Sequence, residues 1–229
     1  KYDADPSFNK WPVDTLISKE YANQRRALIQ SYAARSYDAG ELEQGNTIYL
    51  TVADKDGNMV SLIQSIYAEF ASGMVPDGLG FVLQNRGVAF SLDPEHRNAL
   101  APGKRPFHTI IPGFVMQNGA PRMSFGVMGG PMQAQGHVQM VLRTQLWGQD
   151  VQTAVDAPRW RFVKGRAVAC EEAMPQATRD ALAAMGHEIV VEAPDNAFGF
   201  GGAQLIHRMP DGGYAGGSDP RKDGHAVGF

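Results

Sequence analysis

From residue 47 onward, polar and apolar side chains alternate as they do in β-strands. The stretches 47–52 and 60–66 alternate on either side of Asp56-Gly57-Asn58, a turn of the kind that needs a positive φ. This pattern predicts a β-hairpin. Further strands are predicted at 80–84, 110–116, 123–127, 188–191 and 203–207.

Apolar residues recur at helical spacing over 16–35, over the stretch that follows Gly129-Gly130, over 151–156 and over 175–185. The polar residues 40–45 predict a mobile linker, and the glycine-rich stretches 198–202 and 212–217 predict loops. The predicted elements begin with strands, continue with a pair of helices and end with further strands. This order predicts an α+β fold whose sheets are mostly antiparallel. Trp147 and Trp160 are expected in the core.

The composition narrows the class of protein. The chain has 229 residues, a formal net charge of -3 and 43% hydrophobic residues, as in a globular protein with a sizeable core. No basic cluster suggests a nucleic-acid partner, and no apolar run approaches the ~20 residues that cross a bilayer. The single cysteine, Cys170, is expected to be a small core residue, so nothing marks an oxidising compartment and a cytoplasmic location is slightly favoured.

Thr47 begins the first strand of the predicted hairpin, directly after Gly45-Asn46. A threonine suits this position simply because β-branched residues fit a pleated strand. Alternatively, the bond before Thr47 is cut, and the freed α-amino group acts as the general base for its own hydroxyl. An α-amino group titrates near pH 7.7–8.0 and can therefore accept a proton at neutral pH. The strand pattern alone leaves both interpretations open.

Several separate motifs favour the second interpretation. They are the strand and turn 47–58, Gly103-Lys104-Arg105-Pro106, Gly129-Gly130, Ala157-Pro158-Arg159 and Ser218-Asp219-Pro220-Arg221. In this order they resemble the small subunit of γ-glutamyltranspeptidases, N-terminal-nucleophile hydrolases whose precursor cuts itself into two subunits. The resemblance implies a four-layer αββα sandwich, with 1–46 as the tail and linker of the large subunit and 47–229 as the small, catalytic subunit. The expected partner is that precursor's large subunit, in a heterodimer or a dimer of heterodimers.

The resemblance also implies catalytic roles. Thr47 corresponds to the nucleophile, and Ser65, eighteen positions on, stands where the family usually has a threonine that hydrogen-bonds the nucleophile. Gly129-Gly130 match the glycine pair whose backbone N–H groups bind the oxyanion, a task that glycine suits because no Cβ blocks close approach. Without the other motifs, the pair would be interpreted as a tight turn.

The positions that bind the substrate depart from the family. Ala89 stands where an acidic residue holds the substrate's α-ammonium, and Arg86 follows Asn85 where the family has glutamine. Tyr67 replaces an asparagine, and His108 and Thr109 replace paired serines. The expected substrate-binding residues are Tyr67, Asn85, Arg86, His108, Thr109 and Gln135. Gln135 is the glutamine expected beside the glycine pair.

These departures predict an amide whose acyl part carries a carboxylate but no α-amino group, with Arg86 and His108 as partners of the carboxylate. Glutaryl-type amides and small amide acids such as oxamate fit that description. Two alternatives stay open: a true γ-glutamyltransferase or glutathione hydrolase, and an inactive family member that acts as a binding protein.

Other polar residues are given structural roles. His137 with two nearby glutamines is a poor ligand set for zinc, so no metal and no cofactor are expected, and Gln135 and His137 are expected to line or brace the pocket. Asp54 and Asp56 belong to the hairpin turn rather than to a catalytic pair. Arg105 is expected to brace a loop through an ion pair.

Overall fold

The computed structural model describes residues 4–8, 13–33, 46–193 and 199–229. Five α-helices and nine β-strands follow one another along these residues. The helices are α1 Val13–Leu16, α2 Lys19–Arg26, α3 Met132–Val141, α4 Val151–Asp156 and α5 Gln176–Ala184. The strands are β1 Asn46–Ala53, β2 Met59–Tyr67, β3 Gly113–Gln117, β4 Ala120–Met128, β5 Trp160–Lys164, β6 Ala167–Glu171, β7 Glu188–Glu192, β8 Gly202–Arg208 and β9 Tyr214–Ser218. The predicted linker 40–45 lies outside the described residues.

Strands β1 and β2 form the predicted hairpin. Gly57 in its turn has a φ of 89°, and Asp54 accepts hydrogen bonds from the backbone of Asp56 and Asn58. Both residues therefore stabilise the turn, as predicted. Thr47 pairs with Ser65, and the register shifts between Asn46 and Thr47. Bulges of this kind are frequent beside active sites.

A four-stranded antiparallel sheet in the order β3-β4-β8-β9 forms the centre of the fold. Alternation along β4 sends Met123, Phe125 and Val127 into a buried cluster with residues of α3, α4 and β8. Ser124 and Gly126 point to the opposite face, where they meet the hairpin. The hairpin, the sheet and the helices therefore form three successive layers.

A second, three-stranded sheet has the order β5-β6-β7, and β6 and β7 run parallel because α5 connects them. Its small core contains Cys170, which is fully buried, and burial raises the pKa of its thiol. The prediction of a core cysteine is confirmed. Arg105 forms the expected loop-bracing ion pair, with Asp5 at 3.0 Å.

One strand prediction and one loop prediction were wrong. Residues 80–84 form no strand; Gly78 and Gly80 have φ values of 75° and 68°, which curl the chain away from an extended path. Residues 214–218 form β9 rather than a loop. A Cβ on Gly217 would lie 2.8 Å from the carbonyl oxygen of Val151, so the glycine-rich composition reflects close packing of the strand against α4.

The predicted helix 16–35 is shorter than expected, since α2 ends at Arg26 and residues 29–33 are irregular. Trp147 and Trp160 were wrongly expected in the core. Their exposed fractions are 59% and 37%, because Trp147 follows the helical segment Leu142–Leu146 at the surface and Trp160 begins a short edge strand. Every helix in the described ranges is too short or too polar to span a bilayer.

Candidate active site

The hydroxyl groups of Thr47 and Ser65 meet across the hairpin. Thr47 Oγ1 donates to Ser65 Oγ at 3.0 Å, and the backbone N–H of Tyr67 also donates to Ser65 Oγ at 3.0 Å. Tyr67 ends β2 with a φ of 78°, a left-handed conformation that is uncommon for a bulky residue. Backbone strain of this sort is concentrated at functional sites.

The position of Thr47 relative to the central sheet follows from contacts further along β1. Thr51 Oγ1 lies 2.5 Å from Ser124 Oγ, and the ring of Tyr49 lies against Gly126, where a Cβ would overlap it. Each step of two residues along β1 therefore matches a step of two residues along β4, in the opposite direction. By extending this match one more step, we infer that Thr47 lies at the level of Met128, directly before the glycine pair.

Gly129 and Gly130 connect β4 to α3, with φ values of 132° and 55° that disfavour other residues. Their carbonyl groups accept hydrogen bonds from Met132 and Gln133 in the first turn of α3. Among the described residues, none accepts a hydrogen bond from either glycine N–H. Both donors are therefore available, beside a helix N-terminus that favours negative charge.

Arg86 is buried against Tyr67, the residue whose N–H contacts Ser65, and has an exposed fraction of 3%. Its guanidinium carbon lies 5.3 Å from the ring centroid of Tyr67, and its Nη1 donates to Thr109 Oγ1 at 3.1 Å. Burial lowers the pKa of Arg86. In the described part of the chain no carboxylate lies within ion-pair distance of it, and its Nε has no hydrogen-bond acceptor. A buried cation without a counter-ion is costly unless a ligand supplies one.

Gln133 connects this cluster to the glycine pair, and no motif in the sequence marks it as a site residue. Its side chain is buried; its Nε2 donates to the carbonyl of Thr109, and its Oε1 accepts from Ile111 N–H at 3.2 Å. The available signal was its position in the first turn of the helix that follows Gly129-Gly130. A continuous set of contacts thus joins Thr47, Ser65, Tyr67, Arg86, Thr109 and Gln133 to the glycine pair.

Three expected substrate-binding residues have other contacts. Asn85 Oδ1 accepts from Ala68 N–H at 3.0 Å, so Asn85 braces the backbone beyond Tyr67. His108 follows Pro106-Phe107 with an exposed ring, whose Nδ1 lies 2.7 Å from the Pro106 carbonyl. Gln135 Oε1 accepts from the N–H of Phe162 at 2.6 Å, which attaches α3 to β5 and leaves Gln135 outside the cluster.

His137 braces β4 close to the glycine pair. Its Nε2 accepts from Val127 N–H at 3.2 Å, and its ring lies 4.8 Å from the ring of Phe125. Burial lowers the pKa of His137 to about 4, so the ring is neutral at pH 7 and can accept this hydrogen bond. Among residues with described coordinates, no three His, Cys, Asp or Glu side chains converge in a way that could hold a metal ion.

Comparison with known proteins agrees with this geometry. The sequence model of the family described as Gamma-glutamyltranspeptidase matches residues 1–229. The chain belongs to this family. The resemblance stated from the motifs is therefore confirmed.

Three relatives illustrate the range of the family. The chain is 38% identical over 234 residues to the Glutathione hydrolase-like YwrD proenzyme of Bacillus subtilis, and 38% identical over 230 residues to the Oxamate amidohydrolase proenzyme of Klebsiella pneumoniae. Each alignment covers 98% of this chain and 43% of the relative. The crystal structure of cephalosporin acylase from Bacillus halodurans superimposes with a TM-score of 0.90 at 46% identity, over 100% of this chain and 42% of that one. This likeness confirms the α+β class and the expected sandwich fold.

Proposed function

We propose that this family member is an amide hydrolase whose nucleophile is Thr47, freed as an N-terminal residue when the Asn46–Thr47 bond is cut. Residues 47–229 form the catalytic subunit, and residues 1–46 are the tail of a large subunit. The observation that carries the proposal is the 3.0 Å hydrogen bond from Thr47 Oγ1 to Ser65 Oγ, which a series of contacts joins to a glycine pair whose N–H groups have no acceptor among the described residues. The relatives named as proenzymes support cleavage of a precursor.

The reaction follows from these groups. The α-amino group of Thr47 takes the proton of Oγ1 as this oxygen attacks the amide carbonyl. The N–H groups of Gly129 and Gly130 stabilise the resulting oxyanion. The C–N bond then breaks, the leaving amine receives the proton, and the acyl group stays on Thr47 as an ester. Water, deprotonated by the same amino group, hydrolyses the ester and restores the enzyme.

Arg86 supports an acyl group that carries a carboxylate. Its guanidinium is buried, stacked on Tyr67 and bonded to Thr109, which leaves a planar fork of donors without a described anionic partner. Ala89 offers no charge for a substrate ammonium. A glutaryl-type amide or a small amide acid such as oxamate would satisfy Arg86 without needing an acidic residue. The exposed His108, one residue before Thr109, would supplement this contact.

The hairpin supports a large-subunit partner. Its outer face presents apolar side chains that are roughly half exposed or more in the described chain, namely Ile48, Leu50, Val52, Val60 and Leu62. A contiguous apolar surface of this kind is typical of an interface. The chain spans 43% of the length of two curated relatives, so more than half of each relative lies outside the matched region. We assign the missing part of the precursor as the element that covers this face.

A true γ-glutamyltransferase or glutathione hydrolase is the second candidate, and the name of the Bacillus subtilis relative favours it. Adding an acceptor dipeptide distinguishes a transferase from a hydrolase, because a transferase turns over faster when an amine competes with water for the acyl-enzyme. An inactive binding protein is the third candidate, and the joined Thr47 and Ser65 hydroxyls argue against it.

The full-length precursor and its Thr47→Ala variant test the proposal. Intact mass should reveal a break between Asn46 and Thr47 in the wild type and an uncut Thr47→Ala chain. Wild type should hydrolyse glutaryl-anilide faster than γ-glutamyl-anilide, while Thr47→Ala hydrolyses neither. Turnover by Thr47→Ala would refute the nucleophile assignment, and a clear preference for γ-glutamyl-anilide would refute the substrate class.

A further inference from the structure

A second glycine segment lies directly against the glycine pair. A Cβ on Gly129 would come within 2.8 Å of the Cα of Gly201, and a Cβ on Gly201 would overlap the carbonyl oxygen of Met128. Gly201 has a φ of 71°. The backbone at Phe200-Gly201 therefore forms a rigid support for the backbone of Met128 and Gly129, with no side chain between them to absorb a displacement.

The support is fixed by a fully buried arginine. Arg159 has an exposed fraction of 0%, and its Nη1 donates to the carbonyls of Phe200 and Gly201, each at 3.1 Å. Its Nη2 donates to Asp219 Oδ2, which also accepts from Ala203 N–H at 2.7 Å. One guanidinium and one carboxylate thus hold both ends of the segment 200–203.

Two more charges complete this arrangement. Arg221 bonds Asp219 at 3.0 Å and Glu171 at 2.5 Å, and Glu171 accepts from the backbone N–H of Arg159 at 2.6 Å. These four side chains carry two positive and two negative charges, and Arg143 and Lys222 add further positive charge nearby. A network buried this far has a strongly preferred geometry, because each member left unpaired would be costly.

We propose that Gly201, held by Arg159, is a positioning residue that sets the direction of the Gly129 and Gly130 N–H groups. This inference rests on the proposed function, in which those N–H groups bind the oxyanion. Effective oxyanion donors lie about 2.7 to 3.1 Å from the position that the oxyanion occupies in the transition state. A displacement transmitted from Gly201 to Gly129 would reduce the stabilisation of the oxyanion in the transition state. It would leave binding of the substrate carboxylate at Arg86 in the ground state unchanged.

Gly201→Ala in the full-length protein is the direct test. The added methyl group would collide with Met128 O and push the glycine pair aside, so kcat should fall about 10- to 100-fold while KM stays within about twofold. Gly148→Ala is the matched control. Gly148 has a φ of 66° and open space around its Cβ position, so its substitution introduces similar backbone strain without a collision and should leave kcat unchanged.

Arg159→Lys is the second variant, in case Gly201→Ala does not fold or mature. It keeps the charge opposite Asp219 and loses the paired donors to Phe200 and Gly201, so the same fall in kcat at constant KM is expected. A boronic acid analogue of the acyl group, which forms a tetrahedral adduct on Thr47 Oγ1, should bind both variants at least about tenfold more weakly than wild type.

The outcomes separate this inference from the proposed function. If Thr47→Ala is inactive and wild type is active, the proposed function stands, and a wild-type kcat in Gly201→Ala overturns the positioning role alone. The role is also overturned if Gly201→Ala does not mature and Arg159→Lys has a wild-type kcat, or if KM rises in proportion to the loss of kcat. If Thr47→Ala remains active, the proposed function itself fails.

Discussion

Thr47 Oγ1 and Ser65 Oγ lie 3.0 Å apart, and the N–H of Tyr67 reaches the same serine oxygen from the other side. Ser65 is therefore held by the backbone before it orients the nucleophile. Tyr67 has a left-handed backbone conformation, and its ring lies against the guanidinium of Arg86. One strained residue thus connects the nucleophile to the group that we propose binds the substrate carboxylate.

Replacing Ser65 with alanine should slow turnover without abolishing it. The variant loses a hydrogen bond that restricts the rotation of the Thr47 hydroxyl, and such a bond contributes about 1 kcal/mol, so we expect kcat to fall roughly fivefold to tenfold. Ser65→Thr keeps the hydroxyl and should stay close to wild type. Steady-state kinetics on mature protein measure both variants, and equal kcat values for wild type and Ser65→Ala would exclude the orienting role.

Replacing Arg86 with methionine should slow the hydrolysis of substrates that carry a terminal carboxylate more than that of substrates that lack one. Loss of a charge-assisted contact costs about 1.5–3 kcal/mol, so we expect kcat/KM for glutaryl-anilide to fall about 10- to 150-fold. Hydrolysis of butyryl-anilide, which lacks the terminal carboxylate, should change little. Arg86→Lys is the matched control, since it keeps the charge but loses the planar fork and should fall between methionine and wild type. An equal loss on both anilides would mean that Arg86 only supports the fold.

The hairpin and α4 could be predicted from the sequence because their signals are local. A turn with Asp56-Gly57-Asn58 fixes the pairing of its neighbours, and the bounds of α4 agree with the prediction because Pro158 stops the helix. Strand β9 could not be predicted in this way. Its glycines weaken the strand signal, and their reason is the approach of Val151 from an element far away in sequence.

The residues of the candidate site also differ in whether the sequence or only the folded structure reveals their roles. The family resemblance implied that Ser65, eighteen positions after Thr47, hydrogen-bonds the nucleophile, and the structure joins the two hydroxyl groups across one hairpin. Gln133 and Gly201 were missed because their roles depend on contacts with Thr109 and Met128, which pattern and spacing do not reveal. Gln135 has the same residue type as Gln133 and lies two positions further along α3, so the helical rotation directs it to β5 instead.

The stability of the protein should decrease below pH 6.5 through His137. Burial lowers the pKa of His137 to about 4 in the folded state, whereas an unfolded histidine titrates near 6.5. Between these values the unfolded histidine binds more protons than the folded one, so the contribution of His137 to the free energy of unfolding falls as the pH is lowered from about 6.5 to 4, and this contribution levels off below pH 4. Urea unfolding at a series of pH values measures this slope.

His137→Gln is the control for that experiment. Glutamine can accept the Val127 N–H without titrating, so the slope between pH 6.5 and 4 should become shallower. His207 contributes in the same direction, because burial also lowers its pKa, and it should account for part of the remaining slope. A slope identical in wild type and His137→Gln would show that the Val127 contact does not depend on a neutral imidazole.

The contact between Tyr49 and Gly126 should determine how firmly the hairpin is attached to the central sheet. A Cβ at position 126 would overlap the Tyr49 ring, so Gly126→Ala should lower the free energy of unfolding by about 1–3 kcal/mol. Tyr49→Leu makes room for the methyl group, and the double variant should therefore be more stable than the sum of the two single changes predicts. Tyr49→Phe, which removes only the hydroxyl bonded to Ser61 at 2.7 Å, should not relieve the overlap. Urea unfolding of wild type, Gly126→Ala, Tyr49→Leu and the double variant measures the coupling. Strict additivity would mean that the hairpin moves away from β4 without cost.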